Sequence, residues 1–568
     1  MSPPASPTVA GRLRGLDRAL PLWLAAALAL AFLMGLPLAW LVALSLQGGD
    51  GATLGHYRAV LTDPALQRAL WNTVVLAFWV GVASLAVGAP LAWLTARTDV
   101  PGKGAIRTLV MASFVTPPFL GAFAWVMLAG PNAGLLNQLW RAVTGAEAAL
   151  LDVFTMPGLV FVVTMYTFPY VYIMIANTLG LIASDLEEAA AILGAGRLAV
   201  ARTVTLPLVA PALASGFILA ALQALALFGS PAILALPAGF HTVTTQIWAL
   251  LHFPPKTEMA AAFSIPLLLA TALLLLVQKV VLGRRGYAAV GGKGGRRRPI
   301  ALGRLRLPAL LACLAVMACS IFLPYGILAK AAVSRAWAQP LTWDNLTLGN
   351  FRFTFFEYSA TRAAILNTLE LGFLTACVGA VLVAVLAYVA TRRLVPGHQA
   401  VAFLALSPVV IPGVVLAVAL FIAYTRPPLV LYGTLAILFV AYLTKEMPVG
   451  YAQADATFRT IPPDLEEAAR ILGRGRLGVL VDVTAPLARS GIIAAWCFVF
   501  IGVIRELSAS IILFTPRTRV MSVIIFDLKE EGQFGAIAVL GLVMLALTFA
   551  TVALVQAVLG RDVLGARE

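Results

Sequence analysis

Asp185-Leu-Glu-Glu-Ala-Ala190 is followed by three residues, Gly194, nine more residues and Val204-Thr-Leu-Pro207. The same succession returns as Asp464-Leu-Glu-Glu-Ala-Ala469, Gly473 and Val483-Thr-Ala-Pro486, at an offset of 464 − 185 = 279. Pro169 and Pro448 keep that offset. Upstream, Leu91-Ala-Trp-Leu-Thr-Ala-Arg97 answers Leu386-Ala-Tyr-Val-Ala-Thr-Arg392 at 386 − 91 = 295. Asn72-Thr73 and Asn367-Thr368, Val100-Pro-Gly102 and Val395-Pro-Gly397, and Pro117 and Pro412 share the second offset. The chain is a tandem repeat whose first copy carries 295 − 279 = 16 extra residues, expected within 130–157.

Around the repeat, the composition is that of a chain in a bilayer. Of 568 residues, 61% are apolar and 11% charged, and mean hydropathy is +0.94. A soluble chain has about a quarter of its residues charged, so a soluble enzyme, a disordered chain and a disulfide-stapled secreted protein are excluded. Cys313, Cys319, Cys377 and Cys497 all fall inside apolar runs, as small core residues do. A crossing needs about 20 mostly apolar residues. Twelve runs qualify: 20–46, 71–94, 109–130, 158–182, 206–228 and 259–282, then 308–333, 368–390, 400–424, 429–449, 487–507 and 536–559. The first is longer than the roughly 7–15 apolar residues of a signal peptide and reads as a retained span. The expected fold class is all-α: a polytopic membrane protein with about 12 helices in two six-helix repeats. An even number of crossings per copy makes the repeats parallel, with a pseudo-two-fold axis along the membrane normal.

The net charge of +15 obeys the same geometry. Arg97, Lys103, Arg107, Arg392 and Arg393 lie between runs on one side. So does the heaviest block, which includes Arg284, Arg285, Lys293, Arg296, Arg297, Arg298, Arg304 and Arg306. The positive-inside rule then places both termini in the cytoplasm, and membrane orientation accounts for the charge without a nucleic-acid partner. That block is Gly-rich and reads as a flexible linker. It is no phosphate-binding loop, because Tyr287 stands where the first Gly is needed and Gly294 where Ser or Thr is needed. The expected organisation is a cytoplasmic segment 1–19, a first repeat 20–282, a basic linker 283–307, a second repeat 308–560 and a cytoplasmic tail 561–568.

Each repeated polar segment reads as a short helix, a turn and the start of the next span. Ser184 and Glu187 have capping-box spacing, and Pro463 with Asp464 offers another helix start. Pro207 and Pro486 suit the first turn of a following helix, and Gly194 and Gly473 permit a turn. The spacing EAA-x3-G-x9-hydrophobic-x-LP resembles the signature of membrane subunits of type I binding-protein-dependent ABC importers. The resemblance covers nearly the whole chain as two fused permease subunits, with Ala485 where Leu is usual.

That resemblance implies that 184–207 and 463–486 are coupling loops seated in a separate cytoplasmic ABC ATPase, a homodimer. Glu188, Ala189, Ala190, Gly194, Glu467, Ala468, Ala469 and Gly473 would be the coupling residues. It also implies an external or periplasmic substrate-binding protein and a place in the bacterial inner membrane. ATP would sit on the partner, with no cofactor or enzyme activity on this chain. Phe228-Gly-Ser-Pro-Ala-Ile-Leu234, Arg505-Glu-Leu-Ser-Ala-Ser-Ile-Ile-Leu513 and the linker text are similar to the ferric-iron permease group. Permeases for thiamine, polyamines and 2-aminoethylphosphonate share much of this pattern.

Charges at membrane depth supply pathway candidates. Lys445 and Glu446 lie in the tenth run beside Pro448, and Arg505 and Glu506 near the end of the eleventh. The first copy has Tyr166, Thr167, Ala226 and Leu227 at those positions. A lipid-facing charge costs about 2.5–3.5 kcal/mol, so these side chains face protein or water. Two readings stand: internal ion pairs, or a pathway at the half–half interface where Lys445 and Glu506 gate or guide a charged substrate. Phe228, Ser230, Pro117 and Pro412 complete the pathway set, the prolines as a kink or as mere tolerance. His241 and His252 read as ordinary loop histidines, since ferric iron favours oxygen donors; no metal site is expected. A secondary transporter with six plus six spans is the competing class. Its charged signature belongs in the loop after the second span, where this chain reads Arg97-Thr-Asp-Val-Pro-Gly-Lys103. A membrane-embedded enzyme would need clustered His, Asp or Glu at catalytic depth, where ionisable residues are few.

Overall fold

The computed structural model describes residues 28, 31–49, 51–182, 187, 189, 190, 192–283, 299–394, 397–427 and 429–559. The expected terminal segments 1–19 and 561–568 and most of the linker lie outside these residues. Numbered in chain order, the first repeat holds α1 (Phe32–Ser45), α2 (Pro64–Arg97), α3 (Lys103–Val115), α4 (Pro118–Ala129) and α5 (Leu135–Thr144). It continues with α6 (Met156–Leu181), α7 (Ala201–Ala226), α8 (Gly229–Leu234), α9 (Val243–Leu250) and α10 (Thr257–Gly283). The second holds α11 (Gly303–Ala332), α12 (Ser359–Thr391), α13 (His398–Val410), α14 (Gly413–Tyr424) and α15 (Leu435–Thr460). After these come α16 (Pro463–Ile471), α17 (Leu480–Ile504), α18 (Ser510–Leu513), α19 (Met521–Glu530) and α20 (Phe534–Leu559). The chain is an all-α membrane protein; a two-residue hairpin, Gln47–Gly48 with Gly51–Ala52, is its one sheet among the described residues.

Among the described residues, nine helices are long and apolar enough to cross a membrane, or eleven if each of two bent pairs is one crossing. The expected first span, 20–46, lies partly outside the described residues. The bent pairs occupy the third and ninth expected spans and decide between the two readings of their prolines in favour of a kink. α3 and α4 meet at 100°, and α13 and α14 at 105°. Pro117 and Pro412 are the extended residues at these two breaks. A proline removes a helical N–H and clashes with the preceding turn, so the apolar run breaks without losing hydrophobicity.

Helix bounds keep the repeat register. α4 ends at Ala129 and α14 at Tyr424, and 424 − 129 = 295; α6 starts at Met156 and α15 at Leu435, and 435 − 156 = 279. The extra 16 residues therefore lie between Ala129 and Met156, where α5 has no counterpart. Local chemistry sets the starts: Asp63 caps α2 by accepting from Ala65 N at 2.8 Å, with Pro64 in the first turn. Pro207 and Pro486 lie in the first turn of the α-helical stretches Leu206–Ala226 and Ala485–Ile504, as expected. Each stretch is preceded by one π-turn, Ala201–Thr205 and Leu480–Thr484, which carries the helical path into it.

Two compact units divide the chain. One comprises Met1–Ala39, Leu371–Val409 and Phe439–Val503, and the other Trp40–Glu370, Val410–Leu438 and Ile504–Glu568. In the larger, α2, α6 and α7 pack around Leu91, Ile106, Val110, Phe168 and Tyr172, joined by Cys313 and Met317 from α11. Gly88 makes this approach possible, since a Cβ there would come to 2.9 Å from the Phe168 carbonyl oxygen and 3.0 Å from Val171. In the smaller, Gly379 and Gly450 do the same work, facing Leu443, Val499 and Val383. The repeated Asn-Thr pair docks an outer helix in each repeat. Asn72 donates to His241 O and Thr73 accepts from Val243 N; Asn367 donates to Arg519 O and Thr368 accepts from Met521 N.

Candidate functional site

Each repeated EAA segment is a short helix closed by a glycine. Ala195 N donates to Ala190 O at 3.0 Å, and Arg474 N to Ala469 O at 3.1 Å. Gly194 and Gly473 have φ of +88° and +87°, the left-handed conformation that closes a helix in this way. The motif glycine is therefore the helix stop. Ala189, Glu467 and Ala468 are exposed, and Ala190 and Ala469 half-buried. Glu188 lies outside the described residues, as does Ser184. The capping box expected of Ser184 and Glu187 therefore lies partly outside the described residues; the Glu187 carboxylate accepts from Arg97 and Thr205. Pro463 does start α16, within its first turn.

Behind each segment sits a buried anchor. Arg97 Nη2 lies 3.0 Å from Glu187 Oε1, which also accepts from the Thr205 hydroxyl at 2.7 Å. In the second repeat, Arg392 Nε lies 2.9 Å from Glu466 Oε1, and the Thr484 hydroxyl donates to the same oxygen at 3.1 Å. Tyr388 adds a hydroxyl to Glu466 at 3.2 Å, and Arg392 Nη2 reaches Ile461 O at 2.9 Å. The arginine ends a long span, the glutamate begins the coupling segment, and the threonine sits in the π-turn that starts the next span. The sequence reading selected the following glutamate for the site; it assigned Arg97 and Arg392 to membrane orientation and Glu187 to a helix cap, and gave the threonines no role. Their signal was present, because each triad member recurs at 279 or 295 residues. The linker returns at the same end of the first anchor: Ile300 N donates to Arg97 O at 2.8 Å, and Leu302 N to Asp99 Oδ1 at 2.9 Å.

The pathway candidates of the larger unit gather at the α3–α4 break. Buried Ser230 donates to Pro118 O at 3.0 Å, tying α8 to the bend. Phe228 is fully buried, its ring 6.0 Å from both Trp248 and Phe526. Residue 118 is a proline, so Phe114 O has no helical donor four residues on. Arg505 Nη1 supplies one at 2.8 Å, its Nη2 lies 3.4 Å from the Tyr170 hydroxyl, and its guanidinium carbon is 5.9 Å from the Phe114 ring centre. Glu506, 6% exposed, accepts from Ala509 N at 2.7 Å and so caps the turn after α17. Pro412 starts the matching bend in the second repeat.

Lys445 and Glu446 belong to the smaller unit, half-buried on α15. Gly502 opposes them: a Cβ there would overlap the Glu446 carboxylate. At the equivalent first-repeat positions, Tyr166 packs on Gly121, and Thr167 pairs with Ser84 at 2.9 Å.

His252 faces Trp248 O at 2.9 Å and lines an open cleft of about 250 Å³ with Trp248, Phe421 and Tyr432. His241 is half-buried with no partner for Nδ1 among the described residues, and burial holds its pKa below the ordinary histidine value. Among the described residues, no three His, Cys, Asp or Glu side chains cluster at metal-binding distance.

The chain is a duplicated membrane bundle with a short helix anchored at one end of each copy. The family model described as "Binding-protein-dependent transport system inner membrane component" matches residues 88–286 and 380–563, and the chain belongs to that family. It is a multi-pass inner-membrane protein. It is 24% identical over 509 residues to the ferric transport system permease protein FbpB of Actinobacillus pleuropneumoniae, covering 89% of this chain and 73% of that one. Sulfate transport system permease protein CysW of Escherichia coli K12 is 31% identical over 175 residues, 31% of this chain and 58% of that one. Molybdenum transport system permease protein ModB of the same organism is 29% identical over 224 residues, 39% and 94% respectively.

Proposed function

We propose that this chain forms the translocation pathway of an ABC importer, driven by ATP hydrolysis on a separate cytoplasmic ATPase and supplied by an external binding protein. Repeats 20–282 and 308–560, joined by the linker 283–307, each present one coupling segment. One observation carries the reading. The two residues before each motif glycine are apolar and open: Ile192 and Leu193 are 86% and 87% exposed, and Ile471 and Leu472 both 85%. Apolar tips at the same position of each repeat mark a protein contact, and a homodimeric ATPase offers two equal clefts for them. The buried Arg–Glu–Thr anchors would carry a push on those tips into the long spans. Glu188, Ala189, Ala190, Gly194, Glu467, Ala468, Ala469 and Gly473 form the docking surface, facing the cytoplasm with the linker and both termini.

Ferric iron is the proposed cargo. The ferric permease relative spans most of this chain, whereas the sulfate and molybdenum relatives match a third or so of it. Lys445 and Glu506 are the charges proposed to gate or guide a charged cargo along the pathway. The test is reconstitution of the permease with its ATPase in vesicles, adding binding protein loaded with radiolabelled ferric iron. Uptake should require hydrolysable ATP. Uptake driven by an ion gradient without ATP would make the protein a secondary transporter. ATP-driven uptake of molybdate, sulfate or thiamine with no uptake of iron would keep the importer and remove the iron.

A further inference from the structure

We propose that Arg505, Tyr170 and Gln223 form a station on the pathway for negatively charged oxygen groups of the cargo. The proposal rests on the permease reading above and narrows its substrate class. The cargo, metal or not, crosses as an anionic oxygen species, either an oxyanion or a ferric ion wrapped in carboxylate or phosphate ligands.

The argument starts from charge. A guanidinium removed from bulk water in a membrane protein is normally paired with a carboxylate. Among the described residues, Arg505 has no ion-pair partner: it meets a carbonyl oxygen, a phenol and the face of a ring. Adjacent Glu506 accepts from Ala509 N through Oε1. Gln223 Nε2 donates to the Tyr170 hydroxyl at 2.7 Å, and Arg505 approaches the same oxygen. With its oxygen approached by two donors, Tyr170 directs its own proton elsewhere. The cluster is therefore a set of donors around a cation. Arg505, Tyr170, Gln223 and Phe114 are all half-buried, so the group is accessible and not sealed in the core.

A purely structural task does not account for it. Satisfying Phe114 O needs one neutral donor, as Ser230 shows with its hydroxyl at Pro118 O. The fold does not call for the cluster either. The repeat places Val449, Gly502 and Ala226 where Tyr170, Gln223 and Arg505 stand. A planar guanidinium with open N–H groups is suited to paired oxygens of carboxylate, phosphate or similar groups.

The experiment measures binding to the permease–ATPase complex in lipid nanodiscs, by calorimetry, without the binding protein. The probes are phosphate, sulfate, molybdate and ferric citrate, with choline as a cation control. At least one anionic probe should bind, and which one binds separates a free oxyanion from a chelated metal. Arg505→Gln keeps a donor for Phe114 O but loses the charge, and should weaken that probe at least about tenfold. Arg505→Lys should restore part of the loss, and Tyr170→Phe should weaken it several-fold. Elution volume and midpoint of unfolding report whether each variant is folded. Failure of all four anions to bind, or unchanged affinity in folded Arg505→Gln, overturns the station. Neither result touches ATP dependence. Conversely, anion binding that needs Arg505, in a protein whose uptake ignores ATP, keeps the station and removes the importer reading.

Discussion

Replacing Arg392 by Met removes the cation that holds the start of α16 to the end of α12. The structure sets the size of the effect. Arg392 and Glu466 side chains are each 11% exposed, so water screens the pair poorly, and removing one partner strands the other. A buried pair broken in this way costs about 3–5 kcal/mol. Glu466 keeps the Thr484 and Tyr388 hydroxyls at 3.1 and 3.2 Å, which favours the lower end. The loss acts on docking of α16 more than on the spans, since these are held by apolar packing. A cost of about 3 kcal/mol raises the local opening constant on the order of a hundredfold. Hydrogen exchange of the amides of 463–471, measured on the purified permease, should accelerate by that factor while the interior of α12 and α15 keeps its protection. Arg392→Met combined with Glu466→Met should recover much of the protection, because no buried charge is then left alone. Exchange in Arg392→Met within about threefold of wild type would refute the idea that the anchor holds the coupling helix.

Gly473→Val forces a β-branched residue into a left-handed turn, a strain of about 1–3 kcal/mol, although a Cβ there meets nothing within 4 Å inside the chain. The variant should remain in the membrane but lose ATPase assembly on pull-down; normal assembly would show that the turn is not a docking surface. Cysteines at Ile192 and Ile471 should react with an impermeant maleimide only in inside-out vesicles, and labelling of either in intact cells would invert the proposed topology. His241, whose pKa burial lowers, takes up its proton later when folded than when unfolded. Its contribution is complete above about pH 6.5 and declines as pH falls through the folded pKa. His241→Gln should therefore flatten the acid-side fall in unfolding midpoint; an unchanged slope between about pH 7.5 and 5 would assign that fall to other groups. Lys445→Met and Glu506→Gln, assayed for uptake and ATPase stimulation in the same vesicles, should lose uptake while staying assembled; normal uptake in both would make these charges structural.

Much of the fold was legible because its signals are local. Apolar run lengths and the glycine after each EAA helix are decided within a few residues, so the repeat offsets of 295 and 279 reappear in the helix bounds. The third span shows where that reading stops. Hydropathy sums transfer energies along the chain and is blind to direction, so 109–130 and 400–424 each counted as one crossing, with a kink and mere tolerance both open. Pro117 and Pro412 announced a break, but the 100° and 105° turns depend on what packs around them, including Ser230 on Pro118 O.

The candidate site divides along the same line. Residue types and spacing alone determined that two copies of a polar, glycine-stopped helix lie between spans, because those are short-range properties of the backbone. Which glutamate is buried was decided only by tertiary structure: Glu466 is enclosed by Arg392, Tyr388 and Thr484, while neighbouring Glu467 is exposed. Arg505 is the clearest case. In sequence it adjoins Glu506 and suggests a pair, yet its guanidinium turns to Phe114 and Tyr170, hundreds of residues away. Consecutive residues on a chain point in different directions, and only the packed helices decide which group each charge meets.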